Sequence, residues 1–168
     1  MRHYKPEIGK RNRFAALSYC WGKPTPVATI TIDGKPFGVA QNLYDFLQNR
    51  FLHNRGMFSH ESEVLKDRDL WVDAICINQN DDAEKSEQVQ RMWEIYSGAD
   101  LVIAWLGKEQ AYTKRAFLAL NTRYIEKVSG KTLPEVMKRL VEDGTPDVVE
   151  LSANRYFSRA WIVQEILC

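Results

Sequence analysis

The chain has 168 residues, of which 45% are hydrophobic and 27% are charged, a composition that suits one globular domain with its own core. Its 23 basic and 22 acidic residues leave a formal net charge of +1 with no long basic tract, so nucleic acid is not an expected partner. No apolar stretch approaches the roughly 20 residues that span a bilayer, and no signal-peptide core follows the first residues, so we expect no membrane span and a cytoplasmic location.

Three short apolar runs alternate with helical patterns along the chain. Runs of this kind are typical of strands buried on both faces of a parallel sheet whose connections are helices. Each run ends in a polar cluster, and these ends are expected to share the carboxyl edge of the sheet, where open α/β sheets bind ligands. The runs are residues 14–20, 70–77 and 101–106.

The first half of the chain adds a hairpin and a helix. Residues 1–12 are polar and basic and are expected to form a loose lead-in. Asp33 and Gly34 tolerate positive φ and stand between two short apolar runs, which predicts a β-hairpin that extends one edge of the sheet. Asn42 is placed to cap the next helix, and residues 53–69 have little periodicity. The apolar stripe expected on that helix is Leu43, Phe46, Leu47 and Phe51.

The second half of the chain is predicted to be mostly helical. Asp81 is a capping residue, and Glu84 three positions later completes the signature of a helix N-terminus. Gly98 is placed to end that helix, and residues 109–154 are interpreted as a helical insertion beside the sheet. The buried stripe expected between Asp81 and Gly98 is Val89, Met92, Trp93 and Tyr96.

The three cysteines do not indicate a disulfide framework. Their number is odd, and Cys20 and Cys76 lie inside predicted buried strands, so reduced thiols are expected. The three histidines have no ligand spacing with one another or with the cysteines. No structural metal is predicted.

The end of the first predicted strand is the first candidate site. Ser18, Tyr19, Trp21 and Gly22 combine a hydroxyl, two large aromatic side chains and a glycine that allows a ligand to approach the backbone. A single glycine does not match a nucleotide-binding glycine loop. The group is either a ligand site or a packed strand end with a turn glycine.

Polar residues in and after the second run form another candidate site. An unpaired carboxylate is expensive to bury, so Asp73 is expected either to be hydrogen-bonded within the protein or to contact a substrate. Asn78 and Gln79 stand just before a helix N-terminus, where their amides can hold a polar or anionic group. The alternative for these amides is simple capping and turn formation.

A carboxylate near the C-terminus is the third candidate. Ser158 is placed to cap a last helix, on which Trp161 and Glu165 share a face. A carboxylate beside an indole in apolar surroundings has a perturbed proton affinity, which is useful in catalysis. The alternative is an ion pair of Glu165 with Arg159 or Arg155.

Five blocks of the sequence together resemble the fungal heterokaryon-incompatibility (HET) domain. The resemblance implies a module of fungal non-self recognition that triggers cell death when incompatible hyphae fuse. Such modules are usually attached to further domains, so this chain is expected to be the N-terminal part of a longer protein. Self-association and contacts with other incompatibility or receptor proteins are the implied partners. The blocks are residues 16–22, 70–79, 105–107 and 159–165, with Gln88, Val89, Met92, Ile95, Tyr96 and Ala99 between them.

HET domains are in turn similar to Toll/interleukin-1 receptor (TIR) domains, many of which cleave NAD. This resemblance implies a TIR- or flavodoxin-like α/β fold: a mainly parallel sheet with helices on both faces, here with a β-hairpin and a helical insertion. TIR enzymes carry a glutamate on a helix after a serine, tryptophan and cysteine cluster. Ser158, Trp161 and Glu165 resemble that arrangement, with Ile162 in place of the cysteine.

The resemblance implies that Glu165 is catalytic, that NAD is the substrate, and that no other cofactor is needed. A carboxylate near the ribose can stabilise the oxocarbenium-like transition state of nicotinamide release. Aromatic members of the site are expected to stack on nicotinamide or adenine, and amides and the glycine backbone to hold ribose or phosphate oxygens. The candidate substrate-binding residues are Ser18, Tyr19, Trp21, Gly22, Asp73, Asn78, Gln79, Arg159 and Trp161.

Two other functions stay open at this stage. One is a non-enzymatic signalling module that works by self-association, because a fold alone does not establish a reaction. The other is a thiol enzyme that uses Cys20 or Cys76, which would require a reactive and exposed thiol.

Overall fold

The structure, a computed structural model, describes residues 13–23, 25–53, 68–127, 146–159 and 162. The chain divides into two compact units, one formed by Met1–Gly107 with Ala160–Cys168 and the other by Lys108–Arg159. Within the described part, none of the helices combines the length and the apolar character that crossing a membrane requires. The elements in chain order are β1 (Phe14–Tyr19), β2 (Ala28–Ile32), β3 (Lys35–Val39), α1 (Gln41–His53), β4 (Asp69–Trp71), α2 (Asp73–Cys76), α3 (Asp82–Gln90), α4 (Met92–Gly98), β5 (Leu101–Trp105), α5 (Ala111–Lys127), α6 (Pro146–Ser152) and a 3-10 helix (Arg155–Ser158).

The first unit is built around a three-stranded parallel sheet. Strand β1 lies at its centre, with β4 on one side and β5 on the other, and both pairings are parallel. Among the parallel strands the spatial order is therefore second, first, third, as in flavodoxin-like sheets. This arrangement confirms the predicted α/β fold with a parallel sheet.

Both faces of β1 are buried against helices. Leu17 and Tyr19 belong to a core cluster with Leu43 and Phe46 of α1. On the opposite face Ala16 packs with Met92 and Tyr96 of α4. Because successive strand residues alternate between faces, one short apolar strand can anchor a helix on each side. The predicted placement of helices on both faces of the sheet is confirmed.

The predicted hairpin forms, but it does not extend the parallel sheet. Strands β2 and β3 pair with each other in a separate two-stranded sheet, so the expected edge position is wrong. Asp33 (φ 51°) and Gly34 (φ 76°) make the turn, as their tolerance of positive φ predicts. Instead, alternate apolar side chains of the hairpin pack in the core cluster that contains Leu43 and Phe46 of α1. They are Ala28, Ile30, Phe37 and Val39.

The second apolar run is not one continuous strand, and this prediction is wrong. Strand β4 ends at Trp71, and the short helix α2 begins at Asp73. The backbone N–H groups of Ile75 and Cys76 both donate to the carbonyl oxygen of Val72, which closes the turn. A short apolar run fits a buried strand and a buried helical turn equally well, so periodicity could not separate them.

The helical region after Asp81 is divided by a break at Arg91. The Asp81 side chain accepts hydrogen bonds from the N–H groups of two first-turn residues, which confirms the predicted cap, and α4 ends at Gly98 as expected. Met92 and Tyr96 are buried. Trp93 is 53% exposed and Val89 is also exposed, so their predicted burial is wrong. The interruption at Arg91 removes the continuous helical phase that a single stripe requires.

The second unit pairs two helices. Helices α5 and α6 pack together, and the Arg115 guanidinium donates two hydrogen bonds to the Asp147 carboxylate at 2.9 and 2.7 Å. Both helices lie in the region predicted to be a helical insertion. Its packing beside the sheet stays a prediction.

Ser158 is the last residue of the 3-10 helix. Its hydroxyl donates to the carbonyl oxygen of Arg155 at 2.8 Å. The predicted last helix, residues 159–167, lies outside the described residues except for Arg159 and the buried Ile162.

Candidate functional site

The carboxyl edge of the parallel sheet contains a topological switch point between β1 and β5. The chain passes from β1 to β4 on one side of β1, and then from β4 to β5 on the other side, so the strand order reverses at β1. Gly22 (φ 76°) follows β1 and Gly107 (φ 104°) follows β5, both in the left-handed region. Among the described residues, no atom outside the two chain neighbours lies within 4 Å of where a Cβ would stand on either glycine. Such switch points are where ligands bind in open α/β sheets.

A buried carboxylate lies at this edge and is held by an indole. Asp73 is only 8% exposed, and its Oδ2 accepts a hydrogen bond of 2.8 Å from Nε1 of Trp21. Its Oδ1 accepts a second bond of 2.7 Å from the backbone N–H of Ala74. The expectation that this carboxylate is hydrogen-bonded is confirmed, although it lies in the first turn of α2 and not within a strand. Trp21 remains 40% exposed, so one side of the pair faces solvent.

The two amide residues after α2 have different positions. Gln79 joins the Asp73 group, because its Nε2 donates to the backbone oxygen of Asp73 at 3.1 Å. Asn78 takes part in capping: its backbone N–H donates to Oε1 of Glu84, and its Oδ1 accepts from the N–H of Asn80. Asn78 therefore fits the capping alternative, whereas Gln79 belongs to the candidate site.

The remaining members of the predicted site are Ser18, Tyr19, Arg159, Trp161 and Glu165. Ser18 and Tyr19 are 0% and 2% exposed and contribute to the core, which favours the packed-strand alternative for them. Arg159 belongs to the second unit, where its guanidinium carbon lies 5.7 Å from the centre of the Tyr156 ring. Trp161 and Glu165 lie outside the described residues, so their predicted roles stay predictions.

Asn42 and Trp105 were missed by the sequence reasoning. Helix α1 begins at Gln41, so Asn42 is inside the first turn and the prediction that it caps the helix is wrong. Its Nδ2 donates to the carbonyl oxygen of Cys20 at 2.6 Å, and its Oδ1 accepts from Nε1 of Trp105 at 2.9 Å. The available signal was spacing: Asn42 precedes Phe46 by four positions and so shares the buried face of the helix.

The hydrogen bonds around the switch point form two adjoining chains, which we call the carboxyl-edge network. One chain connects the end of β5 through α1 to Cys20, the residue after β1, and the other connects Trp21 to α2. Phe46 supports the first chain, because its ring meets that of Trp105 edge-on at a centroid distance of 5.5 Å. The members of the network are Trp105, Asn42, Cys20, Trp21, Asp73 and Gln79.

The thiol of Cys76 is not activated. Burial raises the pKa of the Cys76 thiol, an effect that exceeds the opposing hydrogen bond from the Val72 N–H and is assisted by the charge of Asp73. A raised pKa disfavours the nucleophilic thiolate. Within the described part of the chain, Cys20 and Cys76 form no disulfide with each other. Among the residues that the structure describes, no three His, Cys, Asp or Glu side chains are grouped to hold a metal ion.

Comparisons with known proteins agree on one family. The family model described as Heterokaryon incompatibility protein (HET) matches residues 14–165. The chain is also 31% identical over 199 aligned residues to Heterokaryon incompatibility protein 6, OR allele, of Neurospora crassa. This alignment covers 98% of the chain but 29% of the relative, so the chain spans less than a third of that protein's length. No solved structure matches the chain. Because the family model covers nearly the whole chain, the chain belongs to the heterokaryon incompatibility (HET) family.

Proposed function

We propose that this chain is the HET module of a protein that acts in fungal heterokaryon incompatibility and triggers regulated cell death. The match to the HET family over residues 14–165 supports this, as does the name of the Neurospora relative. The module is proposed to act in the cytoplasm after self-association, with an incompatibility or receptor protein as the trigger.

We further propose that the module acts as an NAD hydrolase, with its substrate bound at the carboxyl edge. The observation that carries this proposal is the Trp21–Asp73 pair, a half-exposed indole bonded to a buried carboxylate beside a topological switch point. An exposed indole face suits a planar nicotinamide or adenine ring. A carboxylate accepts hydrogen bonds and so suits ribose hydroxyls better than phosphate oxygens. The open backbone at Gly22 leaves room for the substrate.

The reaction is hydrolysis of the N-glycosidic bond between nicotinamide and ribose. The bond electrons leave with nicotinamide, positive charge develops on the ribose, and water adds to the ribose carbon with loss of a proton. Glu165, assigned by the resemblance to TIR enzymes, is the proposed carboxylate that stabilises this charge. Loss of NAD would then connect the chemistry directly to cell death.

Nicotinamide release from NAD tests the proposal. The protein is measured at high concentration and fused to an inducible clustering domain, beside a Glu165→Gln variant. Glu87→Gln is the matched control, because Glu87 is an exposed glutamate of α3 outside the candidate site. We expect turnover in the wild type and in Glu87→Gln, and its loss in Glu165→Gln with an unchanged far-UV circular dichroism spectrum. Absence of turnover in clustered wild type would overturn the hydrolase.

A second candidate function is signalling by self-association without catalysis. The exposed indole of Trp93 on α4 favours it, since large exposed apolar side chains are common at association surfaces. Inducible expression in fungal cells separates the two functions. A hydrolase loses killing in Glu165→Gln and retains it in Trp93→Ser when clustering is supplied artificially. A signalling module keeps killing in Glu165→Gln under the same artificial clustering, and it loses killing in Trp93→Ser when no clustering is supplied.

A further inference from the structure

Asn42 joins the two strand ends that border the switch point. Its carboxamide donates to the Cys20 carbonyl after β1 and accepts from the indole of Trp105 at the end of β5. Both bonds are short, 2.6 and 2.9 Å, and both lie in partly buried surroundings. An amide is suited to this place, because it is a donor and an acceptor in one small side chain. Neither aspartate nor leucine can replace it in both bonds.

The bond to Cys20 acts on the residue that follows. The Cys20 carbonyl belongs to the same planar peptide unit as the backbone nitrogen of Trp21. Fixing the direction of this carbonyl therefore fixes the plane from which the Trp21 backbone continues. The next residue, Gly22, has a left-handed φ of 76°, and among the described residues beyond its chain neighbours no atom lies within 4 Å of its Cβ position, so no such packing fixes the segment at Gly22.

The indole of Trp21 needs such restraint to reach its acceptor. Its Nε1 meets Oδ2 of Asp73 at 2.8 Å across 52 sequence positions, although the side chain is 40% exposed. A half-exposed aromatic side chain has few packing contacts to hold one orientation, so the position of its backbone decides whether the bond forms.

We propose that Asn42 is a positioning residue that holds Trp21 in the orientation in which its indole binds Asp73. The inference rests on the proposed function in that it treats the Trp21–Asp73 pair as the part of the site that meets the substrate. Asn42 acts through the Cys20 peptide and does not itself contact the substrate. The bond from Trp105 to Asn42 orients the carboxamide so that its nitrogen faces Cys20.

Hydrogen exchange of the tryptophan indole N–H groups, followed by NMR, tests this role. Asn42→Asp retains an oxygen for Trp105 but removes the donor to Cys20. We expect it to speed exchange of the Trp21 indole by about tenfold, the effect of losing roughly one hydrogen bond, with little effect on Trp105. Asn42→Leu should speed both. Gln41→Ala is the control, because it removes only an exposed bond to Asp45 on the same helix.

Trp71 provides the internal reference. Its ring packs edge-on against Tyr96 on the other face of the sheet, away from the network. A merely structural role of Asn42 would speed the Trp21 and Trp71 indoles by the same factor, or neither, and either result would overturn the inference. If Asn42→Asp does not fold, Trp105→Phe removes the donor to Asn42 and part of the ring that packs on Phe46, and exchange of Trp21 about threefold faster than in wild type, with Trp71 unchanged, is expected. Unchanged exchange in that variant would also overturn it.

NAD turnover in the same variants separates this inference from the proposed function. If wild type hydrolyses NAD, Asn42→Asp should raise KM for NAD by about tenfold, because roughly one hydrogen bond's worth of binding orientation is lost. If the wild type does not hydrolyse NAD, the proposed hydrolase function is refuted. The hydrogen-exchange data then still decide whether Asn42 positions Trp21.

Discussion

The bond between Trp21 and Asp73 is expected to make a measurable contribution to stability. Asp73→Asn keeps the side-chain shape but leaves one acceptor oxygen for two donors, the Trp21 indole and the Ala74 N–H. A hydrogen bond to a charged acceptor contributes about 1.5–3 kcal/mol net, and the solvent access of Trp21 favours the lower end. We therefore expect Asp73→Asn to lower the free energy of unfolding by about 2 kcal/mol.

A double-mutant cycle isolates this bond from other effects. Trp21→Phe removes the indole donor, and after that change Asp73→Asn should cost less, giving a coupling energy of about 1 kcal/mol. Urea unfolding followed by circular dichroism measures it, because a loss of about 2 kcal/mol shifts the midpoint by about 1 M. Asp45→Asn, at an aspartate bonded to exposed Gln41, is the control and should cost less than about 0.5 kcal/mol. Coupling near zero would refute the assignment of this bond.

Three further predictions concern a turn, an ion pair and a thiol. Gly22→Ala should lower the free energy of unfolding by about 1 kcal/mol, because Gly22 has a positive φ. Gly98→Ala is the control: a Cβ there meets equally open space but φ is not positive, so the loss should be smaller. Equal losses in the two variants would contradict the prediction. The hydrogen bond from Arg115 holds the pKa of Asp147 below its usual range. The stabilising effect of this ion pair is therefore present above the ordinary pKa of an aspartate and is lost as the pH falls through the lowered pKa of Asp147. In Arg115→Gln, NMR titration should show the pKa of Asp147 moving back upward. An unchanged pKa would show that another group lowers it. Alkylation of Cys76 should reach half its maximal rate at a pH above that for free cysteine, and fast reaction at pH 7 would contradict the raised pKa.

Much of the fold follows from local sequence patterns. The apolar runs predicted parallel strands because strands buried on both faces need side chains of this kind at every position. Asp33 and Gly34 predicted the hairpin turn because they tolerate positive φ. What the hairpin packs against was not predictable in this way, since its apolar face can be covered by an extended sheet or by a separate core cluster.

The errors at the candidate site have two physical causes. The helical turn at Asp73 was missed because four apolar residues suffice for a strand or a turn, although an aspartate is favoured in the first turn of a helix. The role of Asn42 was missed because its partners are distant in sequence. Cys20 lies 22 positions before it and Trp105 lies 63 positions after it, so neither bond has a local signature.

The most direct test of NAD binding at the carboxyl edge is a titration followed through the tryptophan indole NMR signals. Wild-type protein is titrated with NAD to saturation, with Trp93 as a reference on the exposed surface of α4. We expect a saturable shift of the Trp21 indole signal, which bonds to Asp73 in the free protein, with little change at Trp93. The absence of any saturable shift at Trp21, or an equal shift at Trp93, would contradict binding at this site.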